Sequence, residues 1–221
     1  MEAHEDMQRI LEAGTAVVSD VYDSLGLVPA VLSEEIAPLR ASEKFVGPAF
    51  TVNGVQRISD ERGDRAKLAA IDAMPEGAVA VWAGNDIRGV CCFGDLLSEA
   101  MAARGVAGVV VDGGIRDAEY LAAMPLPIRT RYRTPAQAIG RWKVTAHQEP
   151  VRLRGAIQDW VEVRPGDIIV SDEDGTVVVP VADLDRIIAR ITEWAAVETE
   201  SREAIRGGMP LLAALERFGH L

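Results

Sequence analysis

Histidine and cysteine are scarce in this chain, basic charge is outnumbered, and no long apolar run occurs. Each deficit removes a class of function. The three histidines, His4, His147 and His220, are scattered, which argues against a multi-histidine metal centre and against a histidine-dependent triad. The only cysteines, Cys91 and Cys92, are neighbours. Neither a disulfide framework nor a zinc ribbon can be built from them, and two buried strand thiols are expected.

A net charge of −11 opposes binding to polyanions, so nucleic acid is not an expected partner. Arg129, Arg131 and Arg133 recur at period two and are expected to line the solvent face of a strand. No segment approaches the roughly 18 consecutive apolar residues of a membrane helix. The opening MEAHEDMQRILEAG is acidic and amphipathic, unlike a signal or transit peptide. A cytoplasmic protein with no membrane partner is the expectation.

What is present suits one large globular domain. With 48% hydrophobic and 26% charged residues, the 221-residue chain can bury a full core. No linker is long or polar enough to mark a second domain. The pattern predicts one α/β domain over 1–221, with a mixed sheet, helical termini and a C-terminal helical arm over about 181–221.

Helical spacing runs from His4 to Leu11, and Thr15 is placed to cap a second helix from about Ala16 to Leu25, ended by Gly26. FVGPAFTVNGV (45–55) is expected to be extended, and RGDRAKLAAIDAM (62–74) helical. Strands follow at AVAVW (78–82), VCCF (90–93) and AGVVV (107–111), with a helix from about Asp95 to Arg104. PGDIIVSDEDGTVVVP (165–180) holds two apolar runs joined at Asp174-Gly175. Val170 stands where a calcium loop would need its first ligand, so a hairpin is the better reading. A long charged helix to Glu203, a break at Gly207-Gly208 and a closing helix to His220 end the chain.

The chemistry gathers in GDLLSEAMAARGVAGVVVDGGIRD. A helix from Asp95 travels about 15 Å at 1.5 Å per residue. The strand after it returns about 17 Å at roughly 3.3 Å per residue. The unit therefore brings residues 112–117 back to the edge that Asp95 left, where open α/β sheets bind ligands. At that edge Gly94 admits a sharp turn, and Gly113-Gly114 admit a close backbone approach. The Leu96 and Leu97 amides, in the first helical turn, can receive an anionic oxygen. Arg116 can grip a carboxylate with two bonds, and Asp117 offers oxygen to a hard cation such as Mg²⁺ or Mn²⁺. Each residue alone also has a plain reading: Asp95 as a helix cap, Asp117 as the opening of the next helix, Arg116 as the partner of either.

An Asp followed by twenty residues and Arg-Asp, here Asp95 and Arg116-Asp117, resembles the signature of the class II 4-hydroxy-4-methyl-2-oxoglutarate aldolases of the RraA-like superfamily. FVGPAFTV, FGDLL, RGVAGVVVDGGIRD and VRPGDIIVSDEDGTVVVP extend the resemblance over most of the chain. It implies a swivelling β/β/α domain that forms homotrimers, sometimes stacked into hexamers. It also implies a site in which Asp117 holds Mg²⁺ or Mn²⁺, and Arg116 with the amides of Leu96 and Leu97 binds a small 2-oxo acid. Asp95 would position a water. A neighbouring subunit would lend a glutamate, for which Glu198 is the best match, with Glu200 and Glu203 close by.

The implied chemistry is cleavage of a C–C bond beside a 2-oxo acid, with oxaloacetate decarboxylation through the same pyruvate enolate. An imine route would need a desolvated lysine, and Lys44, Lys67 and Lys143 all lie outside the motif. The second fragment of the substrate is expected to meet either Asn85, Asp86 and Arg88 or the C-terminal helix of a neighbouring subunit. A rival of another class is a non-catalytic regulator of a ribonuclease, docking an acidic surface on a basic partner.

Overall fold

A computed structural model describes residues 2–58 and 63–219, so Arg62 and His220 of the expected helices lie outside the described residues. In chain order the elements are α1 (Glu2–Ser24), β1 (Ala30–Val31), β2 (Ala37–Pro38), β3 (Phe45–Gln56), α2 (Arg65–Asp72), β4 (Val79–Ala83), β5 (Cys91–Phe93), α3 (Asp95–Ala103), β6 (Gly108–Ile115) and α4 (Ala118–Ala123). There follow β7 (Ile128–Arg133), β8 (Trp142–His147), β9 (Val151–Arg154), β10 (Trp160–Val163), β11 (Ile168–Ser171), β12 (Thr176–Val179), α5 (Leu184–Arg206) and α6 (Leu211–Phe218).

The buried valine-rich runs of β4 and β6 form the parallel centre of a mixed sheet in the order β1-β12-β11-β3-β4-β6-β7-β2. β8 joins the second half of β3, and β5 joins the last residues of β6. The expected hairpin is present: β11 and β12 pair antiparallel from Ile168↔Val179 to Ser171↔Thr176. Three apolar clusters cover the sheet. One gathers Trp82, Phe93 and Met101 under α2, α3 and α4, with Trp82 edge-on to Phe93 at 5.8 Å and stacked on Trp142 at 6.2 Å. A second lies under the β9–β10 hairpin, and the third joins α1 and α5 to β11 and β12. Cys91 and Cys92 are buried free thiols, as expected, and burial pushes Cys92 up to about 12. No helix among the described residues is long and apolar enough to cross a membrane.

Two local expectations are corrected. Thr15 does not cap a helix. The first helix breaks at Gly14, whose φ of 83° is left-handed, and Thr15 instead donates through its amide (2.7 Å) and hydroxyl (2.6 Å) to Asp172 beyond β11. Burial opposes the charge on Asp172. The Thr15 bonds and the Asp174 amide outweigh it and hold the carboxyl below its ordinary range. A depressed folded value means stability that is present above the unfolded value of about 3.9 and lost as pH falls through the folded one. Thr15→Val should therefore cost about 1–2 kcal/mol at pH 7, and the gap to wild type should narrow as pH falls through the acid range below the ordinary carboxylate value. Urea titrations at neutral and acid pH measure it.

The second correction is the arginine stripe. Only Arg133 is exposed. Arg129 is fully buried, and Arg131 pairs with the buried Asp112 at 3.2 Å and with Glu35 at 3.3 Å. At its start β7 is covered on both faces, so alternation does not expose every second residue.

Candidate functional site

β5, α3 and β6 form the expected out-and-back unit. β5 pairs parallel with the end of β6, Cys91↔Gly114 and Phe93↔Ile115, and the Arg116 amide donates to the Phe93 carbonyl at 3.1 Å. The start of α3 and the end of β6 are thereby locked side by side. Arg116 Nε lies 3.2 Å from Asp117 Oδ2, and the Asp95 amide approaches the same oxygen at 3.4 Å. The three motif residues meet at one edge.

Gly94 and Asp117 make this approach possible in different ways. A Cβ on Gly94 would stand 2.9 Å from Asp117 Oδ2 and 3.3 Å from Arg116 Cγ. Its backbone is extended (φ −167°), so the glycine is needed for space and not for a sharp turn. Asp117 is left-handed (φ 57°, ψ 35°), which costs a non-glycine residue about 1 kcal/mol or more. Asp117 does open α4, its carbonyl accepting the Leu121 amide at 2.9 Å, but its side chain makes no capping bond to the helix. Gly113 and Gly114 are also reassigned. Added Cβ atoms would strike Ile87 at 2.8 Å and the Tyr132 ring at 2.3 Å, so these glycines serve packing within β6.

Asp95 turns its Oδ1 back to accept the Leu96 amide at 2.7 Å. The Leu96 N–H is thus engaged and not open to a ligand as it stands. Leu97 lies in the same first turn, whose amides have no carbonyl one turn earlier in the helix. A cavity of about 260 Å³ opens here, lined by Gly94, Asp95, Leu96, Leu97 and Arg116 on one side. Asp117 faces an adjoining depression with Arg133 and Thr134, and Arg116 borders both.

The far wall of the cavity differs from expectation. It is built by Asp64, Lys67, Leu68, Gln137, Ala138 and Ile139. Asn85 is occupied with Asn53 Oδ1 and the Gly54 carbonyl, both at 2.7 Å, while Asp86 pairs with Arg154 at 2.9 Å, so neither reaches it. Arg88 and Asp86 line a separate polar depression with Arg131. Lys67, set aside in the sequence because it lies outside the motif, stands in this wall, brought there by α2, whose start the Asp64 N-cap fixes three residues earlier. Glu198 sits elsewhere in this chain, ion-paired with Arg202 in a hollow between α1 and α5.

Among the described residues no three His, Cys, Asp or Glu side chains converge as metal ligands. A closed zinc-type site is therefore not built. The oxygen donors at this edge are the carboxylate of Asp117 and, one hydrogen-bonded amide away, that of Asp95, a sparse oxygen set whose chemistry suits a hard cation that keeps most of its water.

The sequence profile of the RraA-like proteins, described as Aldolase/RraA, matches residues 15–178. The chain is 32% identical over 214 residues to a Halalkalibacterium halodurans protein named "Putative 4-hydroxy-4-methyl-2-oxoglutarate aldolase", covering 93% of this chain and 91% of that one. It is 28% identical over 214 residues to protein DlpA of Legionella pneumophila, and the match takes in 96% of this chain but only 33% of DlpA. The chain thus spans about a third of that relative's length. Among solved structures, Streptomyces coelicolor RraAS2 is described as an unusual member of the RNase ES inhibitor RraA protein family. It matches with a TM-score of 0.76 and 29% identity, over 90% of this chain and 96% of that one.

Proposed function

Because the chain belongs to the RraA-like family, we propose that its site is that of a divalent-metal-dependent pyruvate lyase. The substrate would be 4-hydroxy-4-methyl-2-oxoglutarate or a related 4-hydroxy-2-oxo acid, and oxaloacetate would lose CO₂ through the same enolate. The observation that carries this reading is the convergence of Asp95, Arg116 and Asp117 beside a cavity of about 260 Å³. A docking surface has no need of a left-handed aspartate held against an arginine at a cavity edge.

In this reading the Arg116 guanidinium takes the substrate carboxylate, helped by the Leu97 amide. Asp95 holds a water that accepts the C4 hydroxyl proton. The C3–C4 bond then breaks, its electron pair passes into the pyruvyl fragment as an enolate, and C3 is protonated to give pyruvate. Arg116 faces the enolate charge as it develops. Asp117, with Asp95 nearby, would hold Mg²⁺ or Mn²⁺, whose contribution is Lewis-acid stabilisation of that charge. Glu198 would act only from a neighbouring copy in a trimer or hexamer.

The deciding assay is pyruvate release from oxaloacetate and from 4-hydroxy-4-methyl-2-oxoglutarate, with Mg²⁺ or with EDTA. Chelator-sensitive turnover well above the metal's own background is expected. Turnover at background with every substrate would hand the site to the regulator reading, which the relationship to RraAS2 keeps in view. Arg116→Lys keeps the charge but loses the planar fork, so kcat/KM should fall about tenfold or more, read in steady-state kinetics.

A further inference from the structure

The far wall of the cavity carries a charge that the chemistry above does not use. Lys67 is 9% exposed and lines the cavity opposite the start of α3. Its ammonium sits 5.1 Å over the Trp142 ring, with Leu68, Ala138 and Ile139 as apolar neighbours along the wall. Among the described residues the one ion pair it makes is with Asp64 Oδ2, at 3.9 Å.

That distance is too long for a hydrogen bond. Asp64 is also committed elsewhere: Oδ1 caps α2 through the Lys67 amide at 3.1 Å, and Oδ2 accepts the Val144 amide at 2.9 Å. Lys67 is therefore a buried cation with a weakly held counter-charge. Burial depresses its pKa first; Asp64 and the two thiols work against that, and the charge of Arg116 adds to the depression. Lys67 and Arg116 line the same cavity, so two cationic side chains border one space. A ligand with an anionic group at each end would answer both.

We propose that Lys67 receives a second carboxylate, at the end of the substrate remote from the 2-oxo group, and so makes the site selective for dicarboxylic over monocarboxylic 2-oxo acids. This rests on the reading of the Arg116 side as the 2-oxo acid subsite. The apolar wall would carry the methylene or methyl carbons between the two ends. Lys67 is a recognition residue here, and no bond to its nitrogen forms or breaks.

The test uses two ligands that lack a C4 hydroxyl and so cannot be cleaved by the proposed route, 2-oxoglutarate and 2-oxobutanoate. Their affinities for the intact protein with Mg²⁺ are measured by calorimetry. Wild type should favour the dicarboxylate at least about tenfold, the scale of one charge-assisted hydrogen bond. Lys67→Met should lose that preference and Lys67→Arg should keep it. Lys67→Gln stands in if the methionine variant does not fold, judged by its thermal transition.

A wild type without preference, or a Met or Gln variant that keeps it, overturns the proposal. So does a pyruvate adduct on Lys67 after borohydride reduction, which would assign the lysine to imine chemistry instead. Because neither ligand must turn over, the preference can survive even if the lyase reading fails. It can also vanish while pyruvate release stands.

Discussion

Asp117→Asn is expected to remove chelator-sensitive pyruvate release, with a fall in kcat/KM of at least about 100-fold and no loss of fold. The scale follows from what mutation even of groups that support metal ligands commonly costs. The substitution is a clean one because of the backbone. At φ 57° and ψ 35° most residues would add strain of their own, but asparagine enters the left-handed region as readily as aspartate. Its amide oxygen can also still face the Asp95 amide, which approaches Oδ2 at 3.4 Å. What is lost is the negative charge beside Arg116. Activity assays should run beside a thermal melt and a Mg²⁺ titration monitored by calorimetry. Wild-type rates in the variant, with unchanged metal response, would remove Asp117 from the site.

Arg129→Met should cost about 3–5 kcal/mol of stability, the largest effect expected outside the site. Arg129 donates from Nε to Ser171 Oγ at 2.8 Å, and from Nη2 to the Glu43 carbonyl at 2.8 Å and the Asp172 carbonyl at 2.5 Å. Its guanidinium stands 5.9 Å from the Phe45 ring centre. Methionine fills much of the same volume but leaves two carbonyls and a hydroxyl without these donors, each worth about 1–3 kcal/mol when buried. Lysine, a single ammonium, cannot span the same three acceptors. Arg133→Met, at the exposed end of the same strand, should stay within about 0.5 kcal/mol. Urea midpoints with unchanged slopes separate the two. Equal midpoints would mean that the Arg129 bonds contribute nothing net.

The contrast between these arginines shows which parts of the molecule the sequence discloses. Periodicity located the β11–β12 hairpin, the α3 start and the return of β6, because in each the local pattern and the tertiary demand agree. The meeting of Asp95, Arg116 and Asp117 followed from rise per residue alone. Period two failed on β7, because alternation predicts a solvent face only where one face of the sheet is bare. Arg129 lies against the β11–β12 turn, and no short-range pattern can report a partner some forty residues away. Lys67 was hidden for the same reason. Its place at the cavity depends on α2 being laid beside α3 and β8, a long-range fact. Thr15 had the right residue type for a cap, yet its hydroxyl found Asp172, a stronger acceptor than any backbone group within reach. The engagement of the Leu96 amide by Asp95 is a choice of side-chain rotamer, which spacing does not encode.

The register of β3 has a consequence for how the molecule is made. Val46 pairs with Val170 and Ala30 with Val178, whereas β5, α3 and β6 are contiguous from Cys91 to Ile115. A nascent chain that has emerged only as far as β10 already contains every candidate site residue from Lys67 to Asp117. It still lacks the strands that close one side of the sheet. Contacts of such long sequence separation slow folding, and until they form the first half of β3 presents an open edge to other chains. During synthesis the hazard of misassociation is therefore set by the late hairpin, which takes no part in the chemistry.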